Sequence, residues 1–253
     1  MPLKIFITGA NSGIGEALAI QYAKQDVILG LVARRKKELL ALQKKLSTKV
    51  LIYAVDVTNI DQCRWAAEDF MAIHGIPDII IANAGISSGT LTENFSDIET
   101  FKKIINTNLH GVINTFYPFI EPFKRKKQGQ FVGVSSIAGI RGLPGAGAYS
   151  SSKAALINYL ESFRIEMAPY QIYVTTIAPG YIKTPMTDTN NYKMPFLMPV
   201  NKAAVAFIKG IHKKKKFIVV PWQMKIISYF MHILPIPLWD FFAKSAPRKK
   251  RNL

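Results

Sequence analysis

Leu3-Lys4-Ile5-Phe6-Ile7-Thr8-Gly9-Ala10-Asn11-Ser12-Gly13-Ile14-Gly15 passes from an apolar run through a glycine-rich turn into a helical pattern. A buried strand, a turn without side chains and a helix start bring backbone amides and the positive helix end to one point. That point suits a pyrophosphate. Gly9, Asn11, Ser12, Gly13, Ile14 and Gly15 are therefore the first candidates for holding a dinucleotide. A glycine-rich loop alone is a weak signal, and its place between strand and helix makes it a strong one.

The same alternation continues along the chain. Strands are expected at 3–8, 27–32, 50–55, 78–82, 130–135, 172–178 and 217–220, and helical patterns at 13–25, 36–46, 59–74, 97–123, 149–168 and 199–212. The strands are mostly apolar on both sides, as in a parallel sheet covered by helices on each face. This predicts an α/β fold: one doubly wound domain of about seven parallel strands over residues 1–221, with an amphipathic helical extension at 222–253. Ser96-x-x-Glu99 resembles a capping box, and Thr58-x-x-Asp61 a looser one. No linker, repeat or low-complexity tract divides the chain.

Strand two ends at Val32, and Ala33-Arg34-Arg35-Lys36-Lys37 follows. An acid about there accepts the ribose hydroxyls of NAD, whereas an arginine pairs with the 2′-phosphate of NADP. The next acid is Glu38, so NADP is expected, with Arg34 and Arg35 at its phosphate.

Farther along, Phe131-Val-Gly-Val134 ends at Ser135-Ser136, a glycine-rich turn follows, and Tyr149 opens a helical pattern. Tyr149 and Lys153 are four apart and share one helix face. An ammonium beside a phenol is expected to hold part of Tyr149 as phenolate well below the usual pKa of ~10. Tyr149 is then a proton donor or acceptor near neutral pH, and a serine hydroxyl across the turn can orient a substrate oxygen. The pair alone is also an ordinary helix face; its context gives it weight.

The chain has 33 Lys and Arg against 16 Asp and Glu, a net charge of +17. Lys124–Lys127, Lys213–Lys216 and Arg248–Arg251 supply much of it. Such a field favours a phosphorylated cofactor, acidic lipid or nonspecific nucleic acid. No basic motif interleaved with aromatics points to specific nucleic-acid binding. The single cysteine, Cys63, cannot form an internal disulfide and fits a reducing compartment. No metal site is expected. Leu3–Thr8 already reads as a strand, so no signal peptide is expected. No apolar run reaches the ~20 residues that span a bilayer. The expectation is a cytoplasmic chain, or one lying on a membrane.

Seven motifs now stand in order: Thr8-Gly-x-x-x-Gly-x-Gly15, Asp56-Val57, Asn83-Ala84-Gly85, Asn108 in Asn-Thr-Asn, Ser136, Tyr149-x-x-x-Lys153, and Pro179-Gly180 followed by Thr184. Together they closely resemble the short-chain dehydrogenase/reductase family over about residues 3–220. The interval of 13 residues from serine to tyrosine, usual in that family, selects Ser136 over Ser135. The resemblance implies that Tyr149 is the acid/base residue, that Lys153 lowers its pKa and holds the nicotinamide ribose, and that Ser136 polarises the substrate carbonyl. Asn108 would anchor a water linking Lys153 to solvent. Asn83, Ala84 and Gly85 would line the adenosine ribose, Asp56 would meet adenine, Thr184 and the backbone near Ile182 would hold the carboxamide, and Val57, Pro179 and Gly180 would belong to the same cofactor-binding set. Ser12 stands where many NADP-dependent relatives carry a basic residue in the first loop, which leaves the phosphate to the arginines.

The segment after Thr184 is where relatives keep a substrate lid, and its side chains point to an apolar substrate. Tyr181, Met186, Tyr192 and Phe196 are the substrate candidates, beside Ser136 and Tyr149. The expected activity is an NADP(H)-dependent oxidoreductase interconverting an apolar carbonyl and its alcohol, in a homodimer or homotetramer. A non-catalytic NADP(H) sensor is the alternative, which lost catalytic residues would favour; all four are present.

Beyond Pro221, Trp222, Ile226, Ile227, Phe230, Ile233 and Leu234 recur at helical spacing, opposite Lys225, Ser228 and His232. Pro235 and Pro237 interrupt this pattern, and Leu238–Ala243 resumes before a basic tail. A substrate lid, a subunit interface and a helix lying in an anionic membrane surface all fit residues 222–251, with the membrane favoured.

Overall fold

The computed structural model describes residues 1–251, so the last two residues of the extension, 252–253, lie outside it. In chain order the strands are β1 (Leu3–Thr8), β2 (Val27–Ala33), β3 (Lys49–Ala54), β4 (Ile79–Ala82), β5 (Gly129–Val134), β6 (Ile172–Pro179), β7 (Ile182–Lys183), β8 (Met198–Pro199) and β9 (Phe217–Val220). The helices are α1 (Gly13–Tyr22), α2 (Lys36–Gln43), α3 (Ile60–His74), α4 (Asp97–Ile105), α5 (Gly111–Lys126), α6 (Gly147–Met167), α7 (Pro185–Asp188), α8 (Val200–His212), α9 (Trp222–Ile233) and α10 (Ile236–Ala243). Seven strands form one parallel sheet in the order β3-β2-β1-β4-β5-β6-β9, while β7 and β8 pair separately. Strand β1 pairs with β2 on one side and β4 on the other. The strand order therefore reverses there, and a crevice opens beyond the C-terminal ends of β1 and β4.

Alternation along each strand divides the apolar residues between two cores. One face carries Ile5, Ile7, Leu29, Leu31, Ile79 and Ile81 against α1 and α8. The other is aromatic: Phe6 and Phe131 meet Phe70, Phe116, Phe119, Phe123 and Phe163. Phe131 lies 4.8 and 4.9 Å, centroid to centroid, from Phe123 and Phe116. Each buried phenylalanine contributes about 1.5–3 kcal/mol by leaving water, so this cluster is a main anchor of α3, α5 and α6. Gly30 makes room for it, because a Cβ there would lie 2.6 Å from the Phe6 ring.

The strand positions agree with the apolar runs to within a residue. The helix expected over 97–123 differs. It breaks into α4 and α5 around a π-turn at Asn106–His110. One inserted residue there rotates the helix face and aims Asn108 inward, as π-bulges commonly do at functional sites. The capping boxes also differ. Ser96 makes no side-chain cap to α4, and its hydroxyl instead accepts from Arg251 Nη2 at 3.3 Å. The cap of α3 is Asn59, which accepts from Gln62 N at 3.0 Å.

The extension docks through a face of α9 other than its apolar stripe. Met224 and Ser228 face the body, while Trp222, Ile226, Tyr229, Phe230 and Ile233 are exposed. Met224 decides this: it packs over Gly180, where a Cβ would lie 2.5 Å from its Cγ. On α10, Ile236, Leu238, Phe241 and Phe242 are exposed as well. Among the described residues no helix is long and apolar enough to cross a membrane.

Candidate active site

The crevice is one continuous cleft, lined from the glycine turn past β4 and β5 to α7. At its floor the turn after β1 is held by Thr8 and Asn83. Asn83 Nδ2 donates to Thr8 O and Gly9 O, both at 3.1 Å, and Asn83 N donates to Thr8 Oγ1 at 3.1 Å. Asn83 therefore ties two loops together with the side chain assigned to ribose. Gly9 (φ 63°) cannot be replaced cheaply, since a Cβ would lie 2.8 Å from Ala84 Cα. Gly15 packs its Cα directly on Gly9 O, which draws the N-terminus of α1 against the turn. The turn, the amides of Ser12, Gly13 and Ile14 and the helix end beside them form a cradle that fits a pyrophosphate.

Arg34 and Asp56 line the far end of the cleft, with Ala33, Val55 and Val57. Arg34 Nη1 stands 3.9 Å from Asp56 Oδ2, with Arg34 exposed and Asp56 partly buried. Asp56 Oδ1 also accepts from Thr58 N and Oγ1 at 3.0 and 2.9 Å. Arg35 is not itself part of the lining. It pairs with Glu38 at 3.3 Å and packs its guanidinium against the Asn11 amide. The two arginines thus differ in place: Arg34 lines the cleft and Arg35 does not.

At the other end, β5 delivers two serines to different tasks. Ser135 is buried, and its Oγ donates to Lys153 O at 2.8 Å, which fixes α6 against the strand. Ser136 faces the cleft, accepts from Ala138 N at 3.1 Å and hydrogen-bonds the Tyr149 hydroxyl. Tyr149 and Lys153 lie on the first turns of α6, with Lys153 Nζ 5.8 Å from the tyrosine ring centre. Lys153 is only 4% exposed, and its Nζ donates to Val134 O at 2.8 Å. Burial pushes that ammonium down from 10.5 to about 8.

Burial raises the Tyr149 phenol, and the Ser136 hydrogen bond pulls it part of the way back. This corrects the expectation of a phenolate formed by the neighbouring lysine. Desolvation decides both shifts, and it penalises both charged forms.

Asn108 is fully buried in the π-turn. Its Oδ1 accepts from Ile86 N at 2.8 Å, and its Nδ2 donates to Ile86 O and Ser152 Oγ, both at 3.0 Å. Ser152 in turn donates to Tyr149 O at 2.7 Å. Asn108 and Lys153 converge on the backbone of Gly85, where a Cβ would stand 3.2 Å from Asn108 Oδ1 and 3.6 Å from Lys153 Nζ.

Pro179, Gly180, Ile182 and Thr184 close the cleft on the β6 side. Thr187 organises this corner, although the motifs do not single it out. Its Oγ1 accepts from Thr184 N at 2.9 Å and donates to Ile182 O at 2.7 Å. Ile86, Thr107, Pro185 and Met186 complete the lining. Of the substrate candidates, Met186 lines the cleft, and Tyr192 is close enough to Tyr149 and Tyr181 for their charges to raise its pKa, after burial. Tyr181 is half-buried and is not among the lining residues. Phe196 is half-exposed with φ 58° and is not among the residues that line the cleft.

Residues 4–195 match the family described as short chain dehydrogenase. An uncharacterized oxidoreductase of Myxococcus xanthus (strain DK1622) is 36% identical over 241 residues, 94% of this chain and 95% of that protein. An 11-beta-hydroxysteroid dehydrogenase-like 2 of Arabidopsis thaliana is 34% identical over 240 residues, 91% of this chain and 77% of that protein. An alcohol dehydrogenase from the archaeon Thermococcus sibiricus, complexed with 5-hydroxy-NADP, superposes with a TM-score of 0.77 at 26% identity, covering 87% of this chain and 96% of that one. Solved structures of this fold hold NADP in some cases and NAD in others. The chain therefore belongs to the short-chain dehydrogenase/reductase family, oxidoreductases that use NAD or NADP.

Proposed function

We propose that this protein is an NADP(H)-dependent oxidoreductase that interconverts a carbonyl and an alcohol on a fairly apolar substrate, with Asn108, Ser136, Tyr149 and Lys153 as its site. The observation that carries the reading is the meeting, in one cleft, of the Tyr149–Ser136 hydroxyl pair and the buried Lys153 with the glycine cradle. Residues 1–221 would hold cofactor and chemistry, and 222–253 the extension. Gly9, Ser12, Gly13 and Ile14 would take the pyrophosphate, Arg34 the 2′-phosphate, Asp56 and Val57 the adenine, and Pro179, Gly180, Ile182 and Thr184 the carboxamide. The bound cofactor supplies or accepts the hydride.

The residues of the chain do the rest. Ser136 Oγ and Tyr149 Oη both face the place of the substrate oxygen, Ser136 orienting it and Tyr149 giving or taking its proton. A lysine whose pKa lies near 8 can hold or release a proton at Nζ close to neutral pH, which makes Lys153 the supply for Tyr149. Asn108 fixes the Ile86 backbone and the Ser152 hydroxyl beside it, holding that corner in register. Met186 and Tyr192 favour an apolar substrate.

Screening NADPH oxidation against ketones, aldehydes, steroids and 3-oxoacyl thioesters tests the reading together with Tyr149→Phe. The variant should keep NADPH binding and lose turnover by about 10²–10⁴-fold, the usual contribution of a positioned acid or base. A variant retaining more than about a tenth of the rate removes Tyr149 from this role.

The exposed face of α9 and α10 belongs to the same reading as a seat on an anionic membrane surface. Its apolar residues sit among cations: from Thr189 to Arg251 the only acid is Asp240, against thirteen lysines and arginines. A two-fold dimer across this face would set two like fields together, because the same patch meets itself. An acidic leaflet attracts both the charge and the aromatic rim. The homodimer or homotetramer expected for the family would then form through other faces.

A further inference from the structure

The basic tail is not a solvated string. After α10 it turns back and crosses three segments that border the cleft. Gly89 N donates to Lys250 O at 2.8 Å, in the loop that continues from Gly85 and Ile86. Lys249 Nζ donates to Met186 O at 3.4 Å, on α7. The Arg248 side chain lies against Gly145, four residues before Tyr149, where a Cβ would stand 3.0 Å from it. Arg251 then ends the crossing on Asp97, with Nη2 and Nε at 2.9 and 3.1 Å from Oδ1. Asp97 is itself largely buried, and its Oδ2 accepts from Leu91 N at 2.8 Å.

Two glycines make this path possible. At Gly89 a Cβ would run into the Lys249 carbonyl, and Gly145 (φ 73°) offers the tail a bare backbone. The crossed loops are also tied to each other, since Thr90 N donates to Gly145 O at 3.0 Å. The tail therefore lies over a seam already closed beneath it, on the side of the cleft where Met186 stands.

We propose that residues 248–251 form a strap that walls one side of the substrate mouth, latched by Arg251 on Asp97, and that both are positioning residues for substrate entry. The proposal rests on reading the Tyr149 end of the cleft as the substrate side. The latch is charge-assisted and two-pronged, so neither partner replaces the other, and loss of either should free the strap.

Hydrogen–deuterium exchange on the full chain tests the latch without any substrate. Asp97→Asn, Arg251→Ala and a chain cut after Pro247 should each speed exchange at Gly89 by at least about tenfold, and the double variant should add little to either single one. Acrylamide quenching of bound NADPH tests the wall, and the latch variants should raise the quenching constant several-fold with NADPH affinity unchanged. Unchanged exchange at Gly89 in the cut chain overturns the strap. Faster exchange with unchanged quenching overturns its place at the mouth. If the wild type binds no NADPH, the functional reading falls, and the exchange result alone decides whether the strap stands.

Discussion

Lys153→Met should abolish turnover and change how the stability of the cofactor-free protein depends on pH. The buried ammonium has its pKa lowered from 10.5 to about 8, so folding at pH 7 must work against its charge. A depressed lysine pKa means that the unfolded chain binds more protons between pH 8 and 10.5, and stability rises with pH through that window. At about 1.4 kcal/mol per pKa unit, the cost is about 3 kcal/mol at pH 7 and falls to about 1 kcal/mol by pH 9.5. Methionine fills similar space and removes this cost, but it leaves Val134 O without its donor, a loss of about 1–3 kcal/mol. The two terms nearly offset at pH 7, so the absolute difference is a poor test. Its change with pH is a good one. Urea unfolding of both proteins at pH 7 and pH 9.5 should show the advantage of the variant shrinking by about 2 kcal/mol over that interval. An interval difference below about 0.5 kcal/mol would refute the claim that Lys153 is a buried, depressed ammonium.

Arg34→Asp should weaken NADPH strongly, because it deletes a charge-assisted contact and sets a second acid beside Asp56. NADH binding should change much less, and fluorescence titration of both nucleotides measures the ratio; equal wild-type affinity for the two refutes the phosphate assignment. Gly85→Ala puts a methyl between Asn108 Oδ1 and Lys153 Nζ, so turnover measured at saturating NADPH should fall at least about tenfold. Unaltered turnover would show that the space between those two atoms is not used. Liposome sedimentation should find binding that needs anionic lipid, weakens with salt and disappears in a chain cut after Pro221. Indifference to anionic liposomes at low salt, with an oligomer that dissociates on truncation, would assign the α9–α10 face to subunit contact instead.

Much of this site was legible in the sequence because its motifs sit at strand ends, where the sheet fixes them. Thr8, Asn83, Ser136 and Pro179 each leave the C-terminal edge of the sheet or lie just beyond it, so their order along the chain becomes proximity in space. The π-turn was not legible, because a single inserted residue hides within a 3.6-residue period. The sign of the Tyr149 shift depends on burial, which spacing does not report. Ser96 and Asp97 read as the start of a helix, yet their partner Arg251 is 154 residues away from Asp97. The tail cations counted toward a membrane are for the same reason partly spent: Arg251 is latched, and Lys249 is folded against Met186. What remains for lipid is the exposed face of α9 and α10 with Lys225 and Lys244 at its rim.

The outward turn of α9 and α10 also gives the molecule a built-in optical reporter. Of its three tryptophans, Trp222 stands on α9 and Trp239 on α10, while Trp65 lies at the surface of α3. None belongs to either core, so ultraviolet emission from this protein describes its rind. A blue shift on adding vesicles would register contact at the extension, even with the fold beneath unchanged. Conversely, steady emission during heating would be a poor witness that the sheet is intact.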